Sequence, residues 1–321
     1  MCHLLGVSAS GYYKAQDRKR RPPVSQATMR PRTPDPVLIT AIKSFASRTR
    51  QCPGYRQVAA YLHNQGFHAG TRRVRRLMRK LGLQGKRCRR FVRTTDSSQT
   101  LHPFPNLLKR DFRPGRLNRF WCGDITYIHT DQGFLYLATV EDLGSRRILG
   151  YSLSTSIDAK LVISALEDAY FVARPKDGVI FHCDQGSQYN SRAFRAQLAS
   201  HRMIGSMSER GQCWDNACAE SFFSITKREL LESQGFSSIE LAKLAIVNWV
   251  RFYNHLRPHS ACDKLPPVEY EKRLARTVAE RAEVGRREAI DFNGELSPQR
   301  QTRARRNATK PVNAKSAAAP A

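Results

Sequence analysis

The chain has 321 residues, of which 40% are hydrophobic, so it is long enough for one large or two modest domains with a buried core. Its 54 Lys and Arg against 27 Asp and Glu give a net charge of +27, which attracts polyanions. The sequence shows no signal peptide, no run of about eighteen apolar residues and no amphipathic Lys-rich helix. These features favour a nucleic-acid-binding protein over a membrane-surface protein.

The positive charge is concentrated in the N-terminal third of the chain. Residues 1–110 contain 24 Lys and Arg against 3 Asp and Glu, whereas residues 111–321 contain 30 against 24. The acidic side chains therefore lie mainly in residues 111–321, where they are available for catalysis. Eight scattered cysteines form no C-x-x-C pair, and we expect reduced thiols in a cytoplasmic protein.

The first folded unit is predicted to be helical. A basic, proline-rich linker covers residues 18–36, and apolar residues then recur at helical spacing over 37–48, 55–65 and 71–81. Glycines follow the second and third of these stretches, as expected for helix ends. Three short helices with tight turns indicate a helix-turn-helix variant.

Cations cover one face of the third predicted helix. Six lie within nine residues, namely Arg72, Arg73, Arg75, Arg76, Arg79 and Lys80. So many like charges repel one another unless a polyanion neutralises them, and we therefore predict that the five arginines contact DNA. A solvated basic face is the alternative.

A mixed α/β unit follows a polar connector at residues 84–118. Strands are predicted over 120–129, 134–140, 147–154, 178–183 and 203–206, and helices over 158–173, 192–201, 216–231 and 241–255. This order describes a mixed sheet flanked by helices. From about residue 273 the chain is charged and then rich in Ala, Arg and Lys, so it should be largely disordered by its end.

Three acidic residues occupy positions that a hydrophobic core would not favour. Asp124 lies inside a predicted strand, Asp184 ends another, and Glu220 lies in a predicted helix. Each has a structural explanation when taken alone, such as a strand-end turn or a surface position. Together they can supply the converging oxygen ligands that two Mg²⁺ ions need in phosphoryl transfer.

The flanking segments resemble a known family. The segments GDITYI, HCDQGSQY, CWDNACAESFF and YNHLRPHS are similar to those of the second-frame (OrfB) product of two-frame bacterial insertion sequences, the insertion-sequence-three family. The 35 residues between Asp184 and Glu220 also resemble the signature of retroviral integrases and related transposases. The resemblance covers about residues 4–272 and implies a ribonuclease-H-like α/β core behind a small all-α helix-turn-helix-like domain.

The resemblance implies a role for each matching residue. By the resemblance, the catalytic metal ligands are Asp124, Asp184 and Glu220. The implied cofactor is Mg²⁺, with two ions bound, and Mn²⁺ is the implied substitute. Lys227 lies seven residues after Glu220, within roughly 20° of the same helix face, and is expected to hold phosphate. An ordinary solvent-facing lysine is the alternative for Lys227. Asn216 is expected to cap the helix or touch DNA.

The resemblance also points to two further groups of residues, and the role of each group is left open. His182, Gln188 and Tyr189 flank Asp184 and are candidates for lining the active cleft. The segment YNHLRPHS, which we call the terminal motif, matches the end of the family's core. DNA contact and a structural turn remain equal alternatives for its residues Tyr253, Asn254, Arg257, Pro258 and His259.

The sequence thus predicts five parts: a segment and linker at 1–35, the helix-turn-helix-like domain at 36–95, a connector at 96–118, the integrase-type core at 119–272 and a basic tail at 273–321. The resemblance implies a DNA transposase that cleaves and joins strands at insertion-sequence ends. Expected partners are DNA, a first-frame (OrfA) protein or frameshift fusion, and further copies of the chain on DNA, with no membrane. A nuclease that cuts without joining and a DNA-binding regulator with a decayed core are the alternatives.

Overall fold

The computed structural model describes residues 6, 8–20, 32–49, 53–85, 102–112, 114–176, 178–209, 217–231 and 235–293. The N-terminal helices are α1 (Ala9–Arg20), α2 (Asp35–Arg48), α3 (Tyr55–Asn64) and α4 (Thr71–Lys80). The strands are β1 (Phe120–Thr130), β2 (Gly133–Asp142), β3 (Ile148–Ser154), β4 (Ile180–Cys183) and β5 (Ile204–Met207). The remaining helices are α5 (Ala159–Ala173), α6 (Arg192–Ser200), α7 (Ala217–Thr226), α8 (Ile239–His255) and α9 (Pro267–Asn293).

The five strands form one mixed sheet in the order β3-β2-β1-β4-β5. The first three strands in sequence pair antiparallel, because β1 and β2 are joined by a tight turn that closes at Gly133. The next two are parallel to β1, because helices carry the chain back before each of them. Asp158 and Ser191 accept hydrogen bonds from backbone N–H groups and so fix the starts of α5 and α6.

Helices cover both faces of the sheet. Along β1, Trp121 packs with α5 and α6 on one face, whereas Ile128 packs with α7 and α8 on the other. This alternation follows from the two-residue period of a strand, which sends successive side chains to opposite faces. The site of interest lies where β1 and β4 separate, beside α7.

The helices α2, α3 and α4 pack together and also against α8. Phe45 of α2 contacts Tyr61 of α3 and Phe252 of α8, with ring centroids 4.5 and 5.7 Å apart. Asn64 of α3 donates a hydrogen bond of 2.9 Å to the carbonyl of Lys264. The helical unit therefore shares a hydrophobic cluster with the α/β core, which the sequence did not predict.

The helical pattern departs from the predictions at three places. The helix predicted to Leu231 stops as an α-helix at Thr226, and a five-residue π-helix, Lys227–Leu231, continues it. Helix α1 and the short 3₁₀ helix Ser260–Cys262 were not predicted.

The predicted tail boundary at residue 273 falls inside α9, which runs to Asn293. The first part of that tail is therefore helical, which its many Ala, Glu and Arg residues favour. Residues 294–321, residues 21–31 of the linker, and residues 86–101 and 113 of the connector lie outside the described residues. Across the helices that the structure describes, none has the length and apolar character needed to cross a membrane.

Candidate active site

Asp124 lies in β1, and Asp184 comes directly after β4, the parallel strand beside β1. The last paired residues of β1 and β4 are Cys122 and His182, and the same register extended by two residues aligns the two aspartates. Strand alternation directs both toward the face that carries Cys122. Asp124 is thus held by an 11-residue strand, and Asp184 comes directly after the shorter β4.

Each aspartate is tied to the backbone through one oxygen. Oδ1 of Asp124 accepts from the N–H of Ile125 at 2.8 Å, and Oδ1 of Asp184 accepts from the N–H of Gly186 at 3.0 Å. The second oxygen of each accepts no hydrogen bond from the described residues. One oxygen of each carboxylate is therefore oriented, and the other is left for a ligand.

A close approach between β1 and the residues around β4 holds this pair of strands together. Gly123 precedes Asp124, and a Cβ atom there would lie 2.4 Å from Cζ of Phe181 and 3.3 Å from Cε1 of Tyr189. The rings of Phe181, Tyr189 and Phe194 pack against one another in the same place. Because only glycine admits these rings, the residue beside Asp124 is constrained by packing.

Glu220 brings the third carboxylate from α7, which packs against β1. Burial raises the pKa of Asp124 well above its ordinary value, and the charges of Asp184 and then Glu220 raise it further. Burial also raises the pKa values of Asp184 and of the half-buried Glu220. The Asp124 carboxylate therefore experiences the negative charges of both Asp184 and Glu220, and a cation would relieve this repulsion.

The donor chemistry fits a hard divalent cation, which prefers carboxylate oxygens. In this arrangement, however, no group of three or more His, Cys, Asp or Glu side chains in the described residues could hold a metal ion. Within the described part of the chain, the Glu220 carboxylate makes no hydrogen bond or ion pair that would fix it. Asp124, Asp184 and Glu220 therefore do not form a closed three-carboxylate metal site in this arrangement of side chains.

Lys227 lies close to Asp124. It is the first residue of the π-helix and directly follows α7, so the chain from Glu220 to Thr226 is α-helical and only the last step to Lys227 enters the π-helix. Its charge lowers the pKa of Asp124, against the larger effect of burial. Its Nζ atom lies 5.7 Å from the ring centroid of Tyr127, a residue of β1.

The terminal motif is turned inward. Asn254 pairs with the backbone of Ile148, accepting from its N–H at 3.0 Å and donating to its carbonyl at 2.9 Å. The Tyr253 ring meets that of Phe222 at 4.9 Å and so joins α8 to α7. These contacts support the structural alternative for both residues, and their predicted DNA contact is not supported.

Arg257 and His259 are also engaged internally. Arg257 is 6% exposed and forms a buried ion pair with Glu229 of the π-helix. His259 caps the 3₁₀ helix by accepting from the N–H of Ala261 at 3.2 Å. Burial, with the charges of Arg257 and Arg146, lowers the pKa of His259 to about 3, so it is neutral and offers no charge to a phosphate. The predicted DNA contacts of these two residues likewise lack support.

The residues expected to line the cleft have different positions. His182 is fully buried and hydrogen-bonded to Ser206 and Ser208, at 2.9 and 3.2 Å, and Tyr189 is 2% exposed within the aromatic packing. The half-buried Gln188 donates to the carbonyl of Ile157 at 3.4 Å. None of these contacts requires a ligand. Asn216 lies outside the described residues.

The arginines of α4 divide into two groups. Arg73 and Arg76 both pair with Asp35 at the start of α2, and Arg73 is half-buried there. Arg72, Arg75 and Arg79 are exposed, as is Lys80. The sequence could not separate these groups, because the pairing with Asp35 joins residues about forty positions apart.

The mixed sheet, together with the integrase-core models that match it, places the chain among the polynucleotidyl transferases with an integrase core. Two models of the integrase core domain family match residues 115–213 and 201–267, and an HTH-like domain model matches residues 35–91. The predicted fold class, a ribonuclease-H-like core behind a helix-turn-helix-like domain, is thereby confirmed.

The chain is 36% identical over 274 residues to the transposase InsF for insertion sequence IS3A of Escherichia coli K12, covering 85% of this chain and 93% of that one. It is 34% identical over 285 residues to an uncharacterized 31 kDa protein of insertion element IS600 from Shigella sonnei, covering 87% and 100%. The chain belongs to the IS3 family of transposases, and it is an integrase-type DNA transposase.

Two solved structures are similar. One is the HTLV-2 integrase catalytic core domain in complex with magnesium, with a TM-score of 0.38 and 18% identity, covering 48% of this chain and 95% of that chain. The other is a simian T-cell lymphotropic virus intasome in complex with a PP2A regulatory subunit, with a TM-score of 0.43 and 16% identity, covering 71% and 73%.

Proposed function

We propose that Asp124, Asp184 and Glu220 are the catalytic carboxylates of this transposase and that they hold two Mg²⁺ ions, with Mn²⁺ as a substitute. The observation that carries the proposal is the alignment of Asp124 with Asp184 across β1 and β4, beside the helix that carries Glu220. Enzymes with an integrase core are metal-dependent. When bound, the ions would activate the attacking oxygen and stabilise the leaving oxygen of a phosphodiester.

The side chains of the chain itself would perform the remaining tasks. The two strand-borne aspartates are oriented by backbone N–H groups, so little rearrangement is needed on that side. Glu220 would complete the site by turning inward. Lys227, close to Asp124, would hold the neighbouring phosphate, while the exposed arginines Arg72, Arg75 and Arg79 would hold DNA away from the site.

We further propose that the protein acts at the ends of its insertion element, cutting one strand and joining the resulting 3′-hydroxyl to target DNA. A first-frame (OrfA) protein or a frameshift fusion and further copies of the chain are the proposed partners on DNA. The bacterial cytoplasm, at the nucleoid, is the proposed location.

The decisive experiment incubates the protein with DNA fragments that carry the ends of its element, with Mg²⁺ and with or without the upstream partner. Asp124→Asn, Asp184→Asn and Glu220→Gln should each abolish cleavage while retaining the fold and DNA affinity, because shape is kept and charge is removed. Near-full cleavage by any one of them would refute that residue's role.

The Lys227 proposal has its own readout. Lys227→Ala should reduce strand joining more than metal binding, and Lys227→Arg should restore part of the joining because it keeps the positive charge. A nuclease that does not join would give cut ends but no joined products. Normal joining by Lys227→Ala would return that residue to an ordinary surface lysine.

A further inference from the structure

The hairpin of β1 and β2 carries an exposed aromatic surface beside the candidate active site. Tyr127 and Phe134 are 51% and 49% exposed, and His129 is exposed between them. Tyr127 meets Phe134 edge to face with ring centroids 5.7 Å apart, and His129 meets Phe134 in the same way at 5.4 Å. We call these three residues the hairpin aromatic patch.

A cation lies against this patch. Nζ of Lys227 is 5.7 Å from the ring centroid of Tyr127. Both residues line a groove of about 350 Å³, together with His129 and the apolar side chains of Ile128, Leu231 and Phe236. An aromatic face next to a lysine is the combination that proteins use to bind single-stranded nucleic acid, because the ring stacks on a base and the cation meets a phosphate.

Tyr127 and His129 of the patch lie on the same strand as Asp124. Tyr127 is three residues beyond Asp124 on β1, which is about 10 Å along a strand. The two side chains point to opposite faces of β1, but β4 pairs with β1 only as far as Cys122. The edge of β1 beyond Asp124 is therefore not covered by β4, and it reaches Thr130 before the chain bridges to Phe236.

Lys227 connects the hairpin aromatic patch with the Asp124 carboxylate at that edge of β1. Its ammonium group contacts the Tyr127 ring, and its charge also acts on the Asp124 carboxylate. Bases inside a duplex are stacked on one another, so a ring such as Tyr127 can receive only a base that has left the duplex. Lys227 at the patch and the net charge of +27 favour a nucleic acid over an apolar protein partner for this surface.

We propose that the hairpin aromatic patch binds an unpaired nucleobase of the DNA strand that enters the candidate active site, with Lys227 on the adjoining phosphate. The proposal rests on the proposed function, because it assigns a subsite to the same DNA strand. Tyr127 supplies the main stacking face, Phe134 packs against its ring, and His129 packs against Phe134. The site needs no particular base, since every base has a face that can stack.

The test measures binding without cleavage, using the full chain in the absence of divalent metal. Two probes are compared: a duplex carrying the element end with a short single-stranded 3′ extension that contains 2-aminopurine, and the matched blunt duplex. The wild type should prefer the extended probe and quench its fluorescence by stacking. Tyr127→Ala should weaken binding of the extended probe roughly five- to a hundredfold and remove the quenching, with little change for the blunt probe.

Two variants serve as controls. Tyr127→Phe keeps the ring and should behave as the wild type. Phe171→Ala removes another exposed aromatic residue, on α5, that lies under the guanidinium of Arg174 at the end of that helix, and should change nothing. Because Tyr127 is half exposed, its truncation should leave the fold intact, which thermal unfolding can check.

The opposite results are equally clear. Unchanged preference and quenching in both Tyr127→Ala and Phe134→Ala would overturn the proposal. A shift in the oligomeric state of the DNA-free variants, with the preference retained, would instead identify the patch as a surface between copies of this chain. Asp124→Asn should still quench the extended probe while failing to cut in Mg²⁺, so a failure of the catalytic assignment is distinguishable from a failure of the patch.

Discussion

Arg257 and Glu229 form a two-point ion pair that joins the segment after α8 to the π-helix after α7. Nε of Arg257 donates to Oε2 at 3.0 Å, and Nη2 donates to Oε1 at 2.7 Å. Both side chains are buried, and Arg228 adds a third bond to Glu229. Burial alone would raise the pKa of Glu229, but the bonds and charges of these two arginines hold it below its ordinary value.

We predict that Arg257→Ala lowers the free energy of unfolding by about 3–5 kcal/mol, because it leaves a buried carboxylate without its main partner. Urea denaturation measures the loss. Arg228→Ala is the matched control, since Arg228 is more exposed and should cost about 1 kcal/mol or less. Unchanged stability with weaker DNA binding would instead reinstate Arg257 as a DNA contact.

Glu141 makes the free energy of unfolding depend on pH. Burial raises its pKa to about 7, against the charge and hydrogen bond of Arg146, which lies 3.5 Å away. Its buried Oε2 accepts no hydrogen bond from the described residues, so the carboxylate form is poorly stabilised. The folded-state pKa exceeds the unfolded value of 4.5, and the resulting stability is therefore present below pH 4.5 and lost as the pH rises to about 7.

We predict that Glu141→Gln removes on the order of 3 kcal/mol of the pH-dependent part of the free energy of unfolding. This amount corresponds to the shift of the Glu141 pKa from 4.5 to about 7. Unfolding in urea at pH values below 4.5 and above 7 would compare the variant with the wild type. Asp142, whose pKa burial raises to about 6, acts in the same direction and should leave a residual slope. An identical pH profile in the two proteins would contradict the assignment.

Gly123 should tolerate no larger residue. Gly123→Ala places a methyl group against the Phe181 ring and should lower stability by about 1–3 kcal/mol, because the strand must shift. DNA cleavage should fall more than DNA binding, since the shift moves Asp124. Gly123→Ala combined with Phe181→Leu should recover part of both properties, whereas equal loss in the double variant would place the cause elsewhere.

The arginines of α4 should separate by function. In the full chain, Arg79→Ala should weaken DNA binding and reduce the steepness of its salt dependence by about one ion, as expected for one phosphate contact. Arg73→Ala should mainly reduce thermal stability, because Arg73 pairs with Asp35 between α2 and α4. DNA binding that is flat between low and physiological salt would count against any phosphate role for this helix.

The local pattern predicted most elements of the fold. Alternating and 3.6-residue periods placed all five strands and the helices α2 to α8 within a few residues, because these periods reflect which face of each element is buried. The π-helix was missed because its five residues read as a continuation of α7. Helix α9 was missed because its many charged residues resemble those of a solvated tail.

The candidate site was likewise predicted only in part from the sequence. The sequence by itself determined the three carboxylates as candidates and the family to which they point, because an acidic residue in a strand or at its end stands out locally. Only the tertiary structure aligned Asp124 with Asp184, placed Lys227 on Tyr127 and turned Arg257 inward to Glu229. Pairing between strands and burial of charge depend on residues far apart in the chain, and no local pattern contains that information.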